Sequence, residues 1–308
     1  MVKNTTVLVD FGDDFHSQHS PSKKYDVSFS FNRVCLKRSH QAISAAKDSS
    51  FHDVLFPTKP NTASSPLIAS SIHFHRDLAS RIVNHRGPAP YLIEGPLSLI
   101  SDELSATGTA LSSTSDKLSA TGTAIQQAIK KIYWTSFECR ILICTPANKS
   151  CDSLMRSLHG QIPRAKLFRA NAAFREYDLV PGDIIPQSLY EGECFTCHSL
   201  YELQDFKVIT STYVSSFRLH TAGLKADHFT HIFLVDSSSA MEPEVVVPLT
   251  NFVGKNTVVV ATGSSGDHPR WVRSDMAWRH GLKRSYFERL LEREPYLSRD
   301  PAFITSLK

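Results

Sequence analysis

The stretch Tyr91-Leu92-Ile93-Glu94-Gly95-Pro96, with the repeats that follow it, decides how this chain folds. Apolar residues running into a Gly-Pro pair read as a short strand that enters the first turn of a phosphate-binding loop. Such a loop needs G-x-x-x-x-G-K-[ST]: its backbone N–H groups converge on phosphate, its Lys reaches the terminal phosphates and its hydroxyl holds Mg²⁺. Here Leu97-Ser98-Leu99-Ile100 comes next, then a tandem repeat of 14-residue period that starts at Ser101 and again at Ser115. Each copy carries Ala-Thr-Gly-Thr-Ala where a working loop has Gly-Thr-Gly-Lys-Thr. The remnant positions are Gly95, Pro96, Thr121, Gly122 and Thr123, and no cation stands among them. With few large apolar anchors, Leu97–Thr123 is expected to be a mobile insertion that forms no phosphate nest.

Downstream, short Val/Ile-rich runs alternate with helical segments. Strands are expected at Tyr91–Ile93, Arg140–Cys144, Lys207–Thr210, His231–Val235 and Thr257–Ala261. Helices are expected at Ile72–Val83, Ile125–Tyr133, Cys151–Leu158 and Gly281–Leu291. Apolar strands alternating with helices indicate a doubly wound parallel α/β domain, buried on both sheet faces. Phe168–Gln204 is irregular and reads as a surface insertion. Upstream, Lys37–Lys47 reads as a helix and the Pro/Ser/Thr-rich Phe56–Ser71 as a loop. Val7–Phe11 and Asp26–Phe31 read as two strands around a polar, turn-rich segment. Two strands cannot hold a core, so residues 1–31 are taken as the remnant of a β-module.

The 308 residues are 41% hydrophobic, enough for a full core, and a net charge of +4 permits nucleic-acid binding without announcing it. Six cysteines without a secretory signal fit a reducing compartment, cytoplasmic or nuclear. No apolar run is long enough to span a membrane.

From Phe31 to Tyr296 the chain resembles the first RecA-like domain of superfamily 1 RNA helicases, of the plant silencing-defective and animal antiviral type. The residues that carry the resemblance occur in family order: Phe31-Asn32-Arg33, Lys37-Arg38-Ser39-His40-Gln41-Ala42, Pro88 to Pro96, and Ile141 to Asp152. Asp227 to Phe233, Met241-Glu242-Pro243-Glu244 and His280-Gly281-Leu282 follow. The resemblance implies a P-loop NTPase fold over residues 32–300, interrupted at about 97–123 and 168–204. It also implies a second RecA-like domain, which bears the arginine fingers and is expected to be missing here.

The family's Asp-Glu pair holds Mg²⁺ and activates water. By the register of the flanking blocks, Val235 stands at the metal position and Asp236 at the general-base position. The family's Gln γ-phosphate sensor has no counterpart in Thr262 to Arg270. An arginine finger alone is worth roughly 10³–10⁵ in rate, and one lost oxyanion-type donor about 10²–10³, so these losses together predict no turnover.

The family's strand-end RNA contacts are implied at Thr145, Pro146 and Asn148, and at Thr210 and Thr212. Hydroxyls and backbone N–H groups there would touch phosphates without reading sequence; the competing reading is that they only cap helices and turns. Cys194-Phe-Thr-Cys197-His198 spells a haem-attachment pattern but has no second cysteine pair, so free thiols are expected and no metal site. Trp271 and Trp278, beside Arg270 and Arg273, suit packing better than base stacking.

The expectation is a helicase-like protein without ATPase or unwinding activity, which engages single-stranded RNA weakly or meets RNA-silencing proteins. No cofactor is expected, ATP and Mg²⁺ being those of the family. A residual nucleotide-binding, ATP-dependent RNA helicase-type enzyme is the alternative, and a paralogue fragment without a selected role is a third.

Overall fold

The computed structural model describes residues 13–20, 23–25, 33–58, 74–85, 87–100, 117–269, 272 and 274–307. The chain divides into two units, 1–33 and 34–308. In the first, Asp13–Gln18 forms a helix where a turn-rich segment was expected. The Phe15 and His19 rings stack at 5.2 Å, and His19 lies 5.6 Å from Tyr25. The strands expected at Val7–Phe11 and Asp26–Phe31 lie outside the described residues.

The second unit is built on one sheet. Its strands in chain order are β1 Tyr91–Glu94, β2 Ile141–Thr145 and β3 Leu167–Ala170, then, after a separate hairpin of β4 Leu189–Glu191 and β5 Cys194–Thr196, β6 Val208–Thr212, β7 His231–Leu234, β8 Val258–Gly263 and β9 Ile304–Ser306. The sheet order is β3-β6-β2-β7-β8-β1-β9, and every pairing in it is parallel. Parallel strands bring all their carboxyl ends to one edge, where doubly wound folds bind ligands.

Side chains alternate across the sheet because the strand period is two. Ile141 and Ile143 join one buried cluster with Tyr91, Phe233 and Val260, packed with Ile125, Ile129 and Leu154 from helices Ala120–Thr135 and Asn148–Leu158. Leu142 and Cys144 join the other, with Leu92, Ile232 and Val259. Val245 and Leu249 from helix Glu242–Phe252, and Tyr286 and Leu290 from helix Tyr286–Leu291, cover that face. The strands are apolar on both faces because helices cover both. The fold is a parallel α/β sheet with helices on both faces, consistent with a RecA-like domain.

Three expectations need correction, and one strand is an addition to them. The helix after the repeats starts at Ala120 rather than Ile125, because Ser119 caps it: its hydroxyl accepts the Gly122 N–H at 3.1 Å. Phe168–Ala170 belongs to no insertion; it lies in β3, an edge strand of the main sheet. The helix expected over Gly281–Leu291 is broken, since Gly281 takes φ +97° and the helix proper starts at Tyr286, capped by Ser285. Finally, β9 adds a parallel edge strand beside β1 that the sequence reading did not include.

A buried ionic cluster ties β3 to the carboxyl edge. The Asp152 carboxylate accepts from Arg169 Nε at 2.9 Å and from Arg175 Nη2 at 2.6 Å. The Arg169 side chain is fully buried, and its remaining N–H groups reach the Ala170 carbonyl at 2.9 Å and Asn148 Oδ1 at 2.8 Å. Removing one member of such a group leaves a buried charge without compensation. Asp152→Ala should therefore cost about 3–5 kcal/mol in urea unfolding. A loss under 1 kcal/mol would mean that water reaches Arg169.

Candidate functional site

The site begins where β1 ends. Gly95 donates its N–H to the Gly263 carbonyl at 3.0 Å, which keeps the loop beside β8 as it leaves the sheet. A Cβ on Gly95 would stand 2.6 Å from Thr121 Oγ1, so only glycine lets the first turn of helix Ala120–Thr135 come this close. Gly122 is constrained in the same way: a Cβ there would meet the Ser98 carbonyl oxygen at 2.3 Å. That carbonyl accepts the Ser119 N–H at 3.0 Å, and Ile100 N–H reaches the Lys117 carbonyl at 3.0 Å. The two ends of the insertion thus clasp each other. Residues 97–100 and 117–123 are tied by hydrogen bonds where a loose insertion was expected; residues 101–116 lie outside the described set.

Among the remnant positions, Thr121 and Gly122 are buried, and Gly95, Pro96 and Thr123 are exposed or half-buried. Thr121 Oγ1 is buried with no hydrogen-bond partner. Thr123 stands at the Lys position of the pattern, and Ala124, at the Mg²⁺ hydroxyl position, is packed in the core.

The opposite wall is the end of β7. Val235 is fully buried among apolar side chains. Asp236 follows with φ +54°, a left-handed conformation uncommon outside glycine, and turns its carboxylate toward the β1 loop. Oδ1 accepts the Ser98 N–H at 2.8 Å, and Oδ2 accepts the Ser98 hydroxyl at 2.5 Å. Asp236 N–H in turn donates to Thr262 Oγ1 at 3.0 Å. Beside it, the Ser238 and Ser239 hydroxyls donate to Asp267 Oδ2, the former at 2.9 Å. Burial pushes the Asp236 carboxyl up to about 6, against the hydrogen bonds from Ser98; the nearby Asp267 charge adds to the rise.

Mg²⁺ with ATP does not fit this donor set. An apolar side chain fills the metal position, the adjacent carboxylate is committed to Ser98, and the phosphate lysine is a threonine. Among the described residues, no group of three or more His, Cys, Asp or Glu could hold a metal ion.

The implied RNA-contact residues divide by burial. Thr145 is fully buried, its hydroxyl donating to the Ala147 carbonyl at 2.7 Å. Thr210 is also fully buried, in the interior of β6, and its Oγ1 has no hydrogen-bond partner. Neither side chain can reach a phosphate. Pro146, Asn148 and Thr212 are half-buried and Lys149 is exposed. Asn148 and Lys149 open helix Asn148–Leu158 and, with Asp152, Arg175, Leu179 and Pro181, line a cavity of 310 Å³. Because Asn148 Oδ1 is taken by Arg169, its amide N–H₂ is the end left to meet a ligand.

Sequence reasoning missed Ser98, Arg169 and Arg175. An Arg inside the apolar run Leu167-Phe-Arg-Ala170 was the available signal, because a charge in a buried strand needs a partner. The Cys194 thiol reaches the Glu191 carbonyl at 3.6 Å, while the His198 ring packs 4.9 Å from Phe168 and 5.2 Å from Phe206. Trp278 is 48% exposed, with Lys283 Nζ 4.0 Å from its ring centre; Arg270, Trp271 and Arg273 lie outside the described residues.

A raised carboxyl pKa means that the folded state binds the proton more readily than the unfolded state. Stability from Asp236 should therefore be greatest at low pH, fall between about pH 4 and pH 6, and stay flat above. Subtracting the urea-unfolding profile of Asp236→Asn from that of wild type isolates this contribution among the other carboxylates. A flat difference across that window would show that Asp236 titrates normally.

No protein-family model matches the chain. It is 30% identical over 314 residues to a Gallus gallus protein named "Putative helicase MOV-10", covering 92% of this chain and 30% of that one. It is 27% identical over 218 residues to the Mus musculus "RNA helicase Mov10l1", covering 70% and 16%. A Drosophila melanogaster protein named "Probable RNA helicase armi" is 24% identical over 333 residues, covering 94% and 26%. The chain thus spans less than a third of the length of these relatives. By this homology, and with a parallel α/β sheet consistent with a RecA-like fold, the chain is placed in the Mov10/Armitage-like family of superfamily 1 RNA helicases.

Proposed function

We propose that this chain is a helicase-like protein that neither hydrolyses ATP nor unwinds RNA, and that it acts by contacting RNA or partners in RNA silencing. One observation carries the reading: the carboxylate nearest the catalytic position is buried and bound to Ser98 rather than free for a metal or a water. Val235 and Thr123 remove the other two parts. Phosphoryl transfer depends almost wholly on positioning and charge neutralisation, so a site without these groups has little left to act with.

The surface that remains is the carboxyl edge around Asn148 and Lys149. An amide N–H₂, an ammonium and the opening turn of an 11-residue helix suit backbone phosphates of single-stranded RNA. The residues lining the cavity there include no aromatic ring for a base to stack on, so binding should be weak and sequence-tolerant. Among the described residues no helix is long and apolar enough to cross a membrane. The residual-enzyme alternative requires other residues to replace the missing lysine and metal carboxylate.

ATP turnover should equal background with or without RNA, and Val235→Asp with Asp236→Glu should not restore it. Phosphate release stimulated by RNA, surviving repurification, would promote the alternative. In fluorescence anisotropy, a single-stranded RNA should bind with a log–log salt slope of about −1.4, the value for roughly two phosphates. Asn148→Ala with Lys149→Ala should weaken several RNA sequences equally. Equal binding by the double variant, or none by wild type at low salt, would shift the proposal to protein partners.

A further inference from the structure

We propose that Asp236 is an internal latch: by holding Ser98 through two hydrogen bonds it keeps the β1 loop closed on helix Ala120–Thr135. The chain thereby supplies its own anion to donors that a phosphate would otherwise use. The proposal rests on the non-hydrolytic reading for its meaning, but it is tested by loop opening rather than turnover, so the two can fail separately.

Three independent features carry it. The carboxylate and Ser98 are both buried, and the contacts at 2.8 and 2.5 Å use both oxygens, as a docked anion would. The approach is close on the far side of the loop as well, where the Ser98 carbonyl faces Gly122 and accepts the Ser119 N–H. Ser98 is thus gripped from β7 and from the helix at once, and no space separates them. The backbone at Asp236 is held at φ +54°, which for a non-glycine residue requires surroundings that stabilise it. Thr262 supplies part of this by accepting the Asp236 N–H, and the Ser237 N–H and hydroxyl both donate to the Thr262 carbonyl, at 2.7 and 2.9 Å.

The neighbouring carboxylate is similarly occupied. Asp267 binds Ser238 and Ser239, and Ser238 Oγ accepts the Ser264 N–H at 3.1 Å. Serines that stand where the helicase pattern has small residues, and a carboxylate in the segment without the sensor Gln, together form hydrogen bonds within the protein. The edge that would receive a nucleotide is closed by polar groups satisfying one another.

Hydrogen–deuterium exchange resolved to Ser98 tests the latch. A hydrogen bond to a charged group is worth roughly ten- to a hundredfold in an opening equilibrium, so Asp236→Ala should speed the Ser98 amide by about that factor. The amides of β2 and β6 should keep their wild-type rates. Should Asp236→Ala fail to fold, Asp236→Asn and Ser98→Ala serve instead: the first removes the charge and the second the hydroxyl contact, so each should give a smaller rise confined to the loop. A wild-type rate at Ser98 in all folded variants, or an equal rise throughout the sheet, would overturn the latch. So would a Ser98 amide in wild type that changes its exchange on addition of Mg-ADP, because a shut loop admits no ligand.

Discussion

The buried polar groups at the ends of β1, β7 and β8 must find their partners inside the protein, because water does not reach them. A buried N–H, hydroxyl or carboxylate left alone costs free energy comparable to a lost hydrogen bond, or more when charged. Much of the local structure follows from this demand. Asp236 takes a left-handed backbone to reach Ser98, Thr262 serves both Asp236 and Ser237, and Asp267 collects two serine hydroxyls. Among the described residues, the Thr121 and Thr210 hydroxyls are buried without partners.

On the proposed reading, replacing a catalytic lysine or metal carboxylate leaves no hole of the same shape. Val235 and Ala124 extend the hydrophobic core toward the edge, and serines carry the hydrogen bonds that remain. The turn at Pro146 to Lys149, proposed to meet phosphate, is held differently, by Arg169 and Asp152 in the fold interior, so its geometry does not depend on a bound nucleotide. That separation is the physical basis for reading an RNA-contacting surface on a chain whose nucleotide chemistry is proposed to be lost.

Much of the fold was legible because its strands carry strong apolar signals. The runs at Tyr91, Ile141, Val208, His231 and Val258 each fall where a strand is found, and each is buried on both faces. The misses share a cause. β3 contains Arg169, whose charge is neutralised by Asp152 only in three dimensions, so the run looked irregular in one. β9 is short and gains its place from pairing with β1, about two hundred residues earlier in the chain. The same limit applied to the site. Burial of Val235 could be anticipated from register, but the contact of Asp236 with Ser98 spans 138 positions and leaves no local trace. Hydroxyls at Thr145 and Thr210 looked available from their sequence neighbours, and only packing shows that they face inward.

The edge pair β1–β9 has a mechanical meaning. β9 runs parallel to β1, Leu307 donates its N–H to the Glu94 carbonyl at 2.7 Å, and Arg299 pairs with the Glu94 carboxylate. Tension applied between residue 90 and residue 307 would pull along the strand axes, loading these hydrogen bonds together in shear instead of opening them one after another. The last strand therefore works as a clamp on the first. Any pull transmitted through it arrives at Glu94, one residue before the loop that closes the site.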